Sequence, residues 1–293
     1  MHSFDFDHKG ELLFDEPLSK HTTFRTGGNA RALLLCENIA DIKNAVSWAK
    51  ENGVRFYILG NGSNTIAPDS GYDGLIIKLG KAFSEITVNG CEITACAGAL
   101  LPKVASTALE NSLTGFEFAC GIPGSVGGAL TMNAGAYGGE MSHIVKSARL
   151  IRRGEVIEVT KDELDLSYRH SALMGTDDIV TDVTYTLNKG DKDLIKQKMD
   201  ELKAAREQKQ PVELPSAGST FKRPEGYFAA ALIDECDLKG RRIGGAEVSK
   251  KHAGFIVNIG GATTGDIIAL IDAVKEEVYN KKGVMLEPEV RFI

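Results

Sequence analysis

The segment from Gly121 to Gly139, GIPGSVGGALTMNAGAYGG, holds seven glycines, at 121, 124, 127, 128, 135, 138 and 139. Glycine loses more backbone entropy on ordering than any other residue. Such a density is kept where the chain needs φ > 0 or must approach something with no Cβ between. A second segment of the same kind, LGNGSNTIAPDSGYDG, runs from Leu59 to Gly74. Two glycine-rich surfaces in one chain point to one extended ligand gripped from two sides. A dinucleotide fits best, because its pyrophosphate suits rows of backbone N–H groups. Neither segment follows the commoner phosphate motifs. Gly60-x-Gly62 is followed by Thr65 where GxGxxG requires its third glycine, and no Lys-Ser or Lys-Thr pair closes either run. A plain Rossmann domain or P-loop is therefore disfavoured, and tight turns in a β-rich domain are the bland alternative for either run alone.

Composition sets the outer limits. At 293 residues the chain is long enough for two domains, and 43% hydrophobic with 25% charged residues is ordinary for a soluble globular protein. A formal net charge of −6, with no Lys/Arg cluster interleaved with aromatics, argues against nucleic-acid partners and a polybasic membrane anchor. The N-terminal stretch MHSFDFDHKGELLFDE is acidic and lacks the apolar core of a signal peptide. No run approaches the about eighteen apolar residues of a membrane span, so a cytoplasmic location with no membrane partner is expected. Five cysteines, Cys36, Cys91, Cys96, Cys120 and Cys236, are odd in number and form no CxxC pair, so buried thiols are expected rather than disulfides or a zinc site. The six histidines show no HxxxH or HxH spacing, and no metal is expected. A small-molecule ligand is the remaining expectation; the sequence leaves the oligomeric state open, with a monomer favoured.

Along the chain, Asn38 is placed to cap a helix in which Ile39, Ile42, Val46 and Ala49 recur at helical spacing, with Asp41 in the first turn and Gly53 at the end. Val54 to Leu59 reads as a strand feeding into Gly60, and a ligand is expected where that strand ends. From Leu75 to Ala97, LIIKL, EITV and EITACA alternate with turns, and Asn89-Gly90 is a strong hairpin signal. Leu101 to Asn111 reads as a helix, and the strands ARLIR, GEVIEVT and DIVTDVTYTL follow the glycine run. Asp191 to Lys209 is a charged amphipathic helix with Ile195, Met199 and Leu202 on one face, stopped by Gln210-Pro211. Next come a helix near Tyr227 to Glu235, a strand at Phe255 to Asn258, and a helix from about Gly265 to Lys282, capped by Thr263 or Thr264 and ended by Gly283. The closing VMLEPEVRFI alternates, with Val284, Leu286, Pro288, Val290 and Phe292 on one face and Met285, Glu287, Glu289 and Arg291 on the other, and reads as a strand. The expected organisation is an N-terminal segment 1–19, an α+β domain at 20–190 and a smaller α+β domain at 191–293.

Three short segments place polar groups in unusual company: SYRHS at 167–171, SAGSTFKRP at 216–224 and LEPEVRF at 286–292. Singly, an Arg beside a Tyr, a Ser in a glycine turn and a Glu on a terminal strand each read more readily as structural. The order of motifs changes that balance. TTFRTGG at 22–28, LGNGSN at 59–64, GIPGSVGGALTMNAGAYG at 121–138, YRHS, GSTFKRP, HAGFIVN at 252–258 and EPEVRF follow one another over almost the whole chain. In this arrangement the sequence closely resembles the UDP-N-acetylenolpyruvoylglucosamine reductases of bacterial peptidoglycan synthesis.

The resemblance implies an α+β protein, with an FAD-binding domain of the vanillyl-alcohol-oxidase type followed by a smaller substrate-binding domain. It implies use of NADPH to reduce the enolpyruvyl ether of UDP-N-acetylglucosamine-enolpyruvate to UDP-N-acetylmuramate. It further implies that Gly60, Asn61, Gly62, Ser63 and Asn64, with Gly121, Ile122, Pro123, Gly124, Ser125 and Gly128, hold the flavin, and that Asn133, Ala134 and Gly135 continue the flavin-facing wall. In an enolpyruvyl ether the alkene is conjugated to a carboxylate, so hydride added at the terminal carbon leaves negative charge beside the carboxylate. Arg169 supplies a planar cation able to bind that carboxylate through two bonds as charge builds up. By resemblance Arg169 acts with Glu289, and Ser219 delivers the proton. A serine hydroxyl is a poor acid, so it would act on a strongly basic enolate within an organised network. Glu289 supports it best if protonated or acting through water.

Tyr168, Lys222 and Arg223 read as substrate holders, the cations suited to a nucleotide diphosphate, against a solvated surface pair for Lys222 and Arg223. His252 and Asn258 read equally as site or core polar groups. The chain is too short in its second half for the tyrosine-bearing insertion of the family's longer form, and resembles the shorter form. Arg223 stands where the longer form often has Asn, and Leu173 where an aromatic is common. The competing readings are an FAD-linked sugar or alcohol oxidase of the same fold, often with a covalent flavin, and a non-catalytic flavin-binding module. Neither glycine run contains a histidine for a covalent tether, though Cys120 adjoins one, and the retention of Arg169, Ser219 and Glu289 together argues against the module.

Overall fold

Asn38 accepts a hydrogen bond from the Asp41 N–H (2.9 Å) at the start of the first helix, which is the cap its sequence position predicts. The computed structural model describes residues 4–293. Its elements run β1 (Glu11–Pro17), β2 (Asn29–Cys36), α1 (Ile39–Glu51), β3 (Phe56–Leu59), β4 (Thr65–Ile66), β5 (Tyr72–Leu79), β6 (Ile86–Asn89), β7 (Glu92–Cys96) and α2 (Leu101–Glu110). There follow β8 (Leu113–Thr114), α3 (Val126–Thr131), β9 (Gly135–Ala136), β10 (Gly139–Glu140), β11 (Val145–Arg152), β12 (Glu155–Thr160), β13 (Ile179–Thr186), β14 (Asn188–Lys189) and α4 (Lys192–Lys209). The last are α5 (Ala229–Glu235), β15 (Arg242–Ile243), β16 (Ala246–Val248), β17 (Ile256–Asn258), α6 (Thr264–Lys282) and β18 (Arg291–Phe292). The described residues divide into two compact units, one of residues 4–14, 32–61 and 74–205, the other of 15–31, 62–73 and 206–293.

In the first unit, a sheet of order β1-β2-β5-β3 carries the parallel pair β3 and β5, with Phe56 opposite Leu75 and Leu59 opposite Lys78. Strand β3 therefore delivers the chain to Gly60 at its carboxyl end, where open sheets of this kind place ligands. A second, antiparallel sheet has the order β12-β11-β13-β7-β6, with the β6–β7 hairpin closed by Asn89-Gly90 and Gly90 at φ 62°. Helix α3 packs on β7 and β13, and one core of Ile93, Val104, Phe116, Leu130, Leu150 and Tyr185 lies beneath. Asp41, 1% exposed, accepts from the N–H groups of Lys9, Gly10 and Glu37. Burial alone would raise its carboxyl, but these donors hold it below the ordinary range.

In the second unit, the three-stranded sheet β15-β16-β17 is covered by α6, and α5 packs on the same helix. Helix α6 starts with a reciprocal cap: the Thr263 hydroxyl accepts from the Asp266 N–H and the Asp266 carboxylate from the Thr263 N–H, each at 3.0 Å. It ends at Gly283, φ 69°.

The closing segment departs from the expected strand. Only Arg291–Phe292 forms one, parallel to β4, and although Leu286 and Val290 are buried, Phe292 is 49% exposed. Pro288 has no N–H to give a ladder, so the segment is held instead by single bonds, Lys222 N–H to the Glu287 carbonyl (2.9 Å) and Glu289 N–H to the Thr220 carbonyl (2.8 Å). The five cysteines are free thiols; Cys36, Cys120 and Cys236 are buried, and Cys91 and Cys96 are half-buried. No helix among the described residues is long and apolar enough to cross a membrane.

Candidate active site

In the second unit the loop Gly62–Asn64 is held from behind. The Thr23 N–H donates to the Gly62 carbonyl (3.1 Å), and the Thr23 hydroxyl is fixed on the Ser216 carbonyl (2.6 Å). Across a trans peptide the N–H points opposite to the C=O, so the Ser63 N–H faces away from Thr23. The Asn64 carbonyl accepts from the Arg291 N–H (2.8 Å), and the Asn64 amide donates to the Glu289 carbonyl (3.1 Å). Among the described residues no carbonyl accepts from the N–H groups of Gly62, Ser63 or Asn64. Gly62 sits at φ 65°, and a Cβ there would lie 2.0 Å from the His21 carbonyl oxygen. A short run of N–H donors without protein acceptors is the arrangement that binds a phosphate, and it fits the pyrophosphate of FAD.

In the first unit the two glycine-rich segments meet directly. The Asn61 side-chain amide donates to the Pro123 carbonyl (2.6 Å), and Gly60 lies so close to Ser125 that a Cβ would fall 2.6 Å from its hydroxyl oxygen. The long glycine run, expected as one ligand surface, is interrupted by the helix α3. The first amides of that helix are already engaged, Val126 by the Ala99 carbonyl and Gly127 by the Ala97 carbonyl, both at 2.9 Å. Several of its glycines serve the protein's own packing. A Cβ on Gly139 would meet the Phe118 ring at 2.5 Å, and one on Gly135 the Gly139 carbonyl oxygen at 2.6 Å. Gly128 has only the Ser125 hydroxyl oxygen nearby, at 3.4 Å, and leaves its side open.

Arg169 stands at the tip of a tight turn in the first unit. Ser167 and His170 exchange backbone hydrogen bonds, 3.2 Å and 3.1 Å, with Tyr168 and Arg169 between them. Arg169 has φ 54°, at the position where such turns select glycine. Holding a residue with a side chain in that region costs about 1–2 kcal/mol, which marks the turn as a candidate functional device. Its guanidinium donates to the Gly135 carbonyl (3.3 Å) and lies 5.2 Å from the Tyr168 ring centre. Nearby, the Ser142 hydroxyl holds the Glu140 carboxyl below its ordinary range against the opposing effect of burial, with Asn133, His143 and Arg169 adding to the same side. Asn133, expected in the flavin-facing wall, is 0% exposed. Its amide donates to the Ser167 carbonyl (2.8 Å) and its oxygen accepts from the Ser142 N–H (2.8 Å), so both ends of the side chain are engaged within the protein.

Ser219 and Glu289 are brought together in the second unit by the residue between them. Ser219 is exposed and follows Gly218, φ 76°. Thr220, 0% exposed, donates its N–H to the Gly254 carbonyl (2.8 Å), accepts at its hydroxyl from the Ile256 N–H (3.1 Å), and accepts at its carbonyl from the Glu289 N–H (2.8 Å). The HAGFIVN segment thus works behind Ser219. His252 accepts at Nδ1 from the Gly254 N–H (3.1 Å), and burial lowers its pKa, which favours the neutral ring. Asn258, 8% exposed, donates to the Phe24 carbonyl (3.0 Å) and accepts from the Gly260 and Ala262 N–H groups. Both side chains sit in the core-polar role that sequence left open.

Lys222 pairs with Glu287 at 3.0 Å, and the Arg223 guanidinium lies 3.8 Å from the centre of the exposed Phe228 ring. Thr23 and Glu140 carry no sequence assignment. Thr23 lay within the TTFRTGG motif, but its partners are 39 and 193 positions away in sequence, and no local signal reveals them.

The fold is of the vanillyl-alcohol-oxidase type, an FAD-binding domain followed by a smaller α+β domain. Residues 30–160 match the family model described as an FAD binding domain, and residues 210–293 match the C-terminal domain of UDP-N-acetylenolpyruvoylglucosamine reductase. The structure resembles that of UDP-N-acetylenolpyruvylglucosamine reductase from Thermus caldophilus with a TM-score of 0.84 and 35% identity, covering 97% of this chain and 98% of that one. It also shares its fold with 6-hydroxy-D-nicotine oxidase from Arthrobacter nicotinovorans, at TM-score 0.50 and 16% identity over 96% of this chain and 62% of that one. The reductase of Clostridium botulinum is 49% identical over 96% of this chain and 92% of its own length, and that of Clostridium perfringens is 49% identical over 99% and 95%. The chain belongs to the UDP-N-acetylenolpyruvoylglucosamine reductase family.

Proposed function

We infer that the chain uses NADPH and FAD to reduce the enolpyruvyl ether of UDP-N-acetylglucosamine-enolpyruvate to UDP-N-acetylmuramate, a step of peptidoglycan precursor synthesis. The observation that carries the assignment of roles is Thr220. Its backbone holds the Glu289 N–H on one side and fixes the exposed Ser219 on the other. The amides of Gly62, Ser63 and Asn64 would hold the cofactor, as would Gly60, Asn61 and the segment from Gly121 to Ser125, with Gly128 leaving it room. FAD bound there and reduced by NADPH would supply the hydride for the terminal alkene carbon.

Arg169 binds the substrate carboxylate with its planar fork and stabilises the charge that builds up beside it. The Ser219 hydroxyl gives its proton to the carbon next to that carboxylate. Glu289 orders the hydroxyl and is most effective when protonated or acting through water, because a bare carboxylate would oppose the negative intermediate. Tyr168, Lys222 and Arg223 hold the nucleotide-linked sugar, for which Lys222 exchanges its exposed partner Glu287 for a phosphate. The reading is of a cytoplasmic enzyme.

An absorbance titration of the purified protein tests it. The expected result is a flavin spectrum released intact by acid, bleached by anaerobic NADPH and restored by the enolpyruvyl substrate in equal amount. A protein that takes up no FAD, or whose reduced flavin is restored by oxygen but not by this substrate, would contradict the reading.

A further inference from the structure

We propose that Asn133 is the positioning residue of Arg169, fixing the turn from which the guanidinium reaches the substrate carboxylate. The inference rests on the role given to Arg169 above, and it moves Asn133 from the flavin wall to the support of the catalytic cation. Three bonds tie the segment 131–142 to the turn. The Ser171 hydroxyl donates to the Thr131 carbonyl (2.7 Å) after the turn, Asn133 donates to the Ser167 carbonyl (2.8 Å) before it, and Arg169 donates to the Gly135 carbonyl (3.3 Å) at its tip.

The Ser167 carbonyl takes two donors, Asn133 and the His170 N–H at 3.1 Å, which fixes the peptide plane leading into Tyr168 and Arg169. A turn that places an arginine at φ 54° has a more comfortable conformation available, and the buried amide opposes its relaxation. Asparagine suits the post in two respects. It offers a donor to Ser167 and an acceptor to the Ser142 N–H at once, and it tolerates its own φ of 41°. Ser142 in turn bonds Glu140, whose carboxylate acts on Arg169, so the same side chain joins the turn to the anionic neighbour of its cation. The side chain is 0% exposed, with its amide nitrogen bonded to Ser167 and its oxygen to Ser142, which fixes its orientation toward the turn.

Two substitutions separate the effects. Asn133→Asp keeps the acceptor for Ser142 and replaces the donor to Ser167 by a repelling oxygen. Asn133→Gly removes the side chain while keeping a backbone suited to positive φ. In the holoenzyme both variants are expected to retain FAD and to be bleached by NADPH at rates within about twofold of the parent. Flavin reoxidation by the enolpyruvyl substrate is expected to slow by roughly 10- to 100-fold, the scale of a misplacement of about 1 Å. In the apoprotein, hydrogen exchange at the His170 amide should speed up at least about tenfold. Combined with Arg169→Lys, either substitution should add less than about twofold to the loss in reoxidation, because it acts through the residue already changed.

Parental reoxidation in both variants, multiplicative losses in the double variants, or FAD loss in proportion to lost reoxidation would overturn the proposal. These outcomes leave Arg169 itself untouched as long as Arg169→Lys alone is impaired. Normal reoxidation in Arg169→Lys would instead overturn the role of the arginine, and with it any role for Asn133 in supporting it.

Discussion

Two segments of this chain look alike in sequence and are used differently. In Leu59 to Asn64 glycine turns the backbone so that its N–H groups lie open. Gly62 is at φ 65°, and the amides of Gly62, Ser63 and Asn64 meet no carbonyl among the described residues. In Gly121 to Gly139 glycine mostly lets the protein close on itself: Gly127 against Ala97, Gly135 against Gly139, and Gly139 against the Phe118 ring. The lesson is that glycine density reports close approach without saying to what. A run that binds a ligand is distinguished by where its amides go: Gly62, Ser63 and Asn64 keep theirs open, whereas in the longer run those of Val126 and Gly127 are taken by Ala99 and Ala97.

Substitutions can break or sharpen that contrast. The largest effect is expected at Gly62→Ala, since the new Cβ would lie 2.0 Å from a backbone oxygen in a left-handed conformation. The loop must move, and FAD affinity should fall at least about a hundredfold, the order expected for losing two hydrogen bonds to a charged group. Titration of the apoprotein with FAD checks it, and near-parental affinity would break the account of the loop. Next is Gly139→Ala, whose Cβ would meet the Phe118 ring at 2.5 Å. A loss of about 1–3 kcal/mol in unfolding free energy is expected from overpacking, with FAD affinity changed much less. A larger effect on affinity than on stability would show that this stretch, too, is a ligand surface.

The smallest effect on the fold is expected at Gly128→Ala. The position is helical with open space beside it, so stability should stay level or rise by up to about 1 kcal/mol. FAD affinity should nevertheless fall about tenfold, because the methyl would occupy space the cofactor needs. Unchanged affinity would remove Gly128 from the cofactor surface.

Much of the fold was legible where the signal is local. Asn38 and Thr263 cap their helices, Gly283 ends the last one, and Asn89-Gly90 closes a hairpin, because each of these residues acts on backbone within a few positions. The closing segment was over-read as a strand because alternation at Leu286 and Val290 reports burial and carries no information about pairing partners. The candidate site residues could be named through motif order alone. Their support could not, because it depends on bonds between distant positions: Thr23 with Ser216, Asn258 with Phe24, Asn133 with Ser167. Asn133 shows the limit most clearly. Its place in NAGAYG suggested a wall facing the flavin, and nothing local in that motif signals the bonds its side chain makes to Ser167 and Ser142.

The central claim is the division of labour in which Ser219 supplies a proton to carbon and takes no part in taking up hydride from NADPH. Anaerobic stopped-flow on Ser219→Ala tests it most directly, because the flavin absorbance reports reduction by NADPH and reoxidation by the enolpyruvyl substrate separately. The account predicts bleaching at the parental rate and reoxidation slowed by about 10²- to 10⁴-fold, the usual contribution of a general acid. Equal slowing of both steps would mean that Ser219 holds the cofactor or the fold, and unaltered reoxidation would mean that the proton comes from elsewhere.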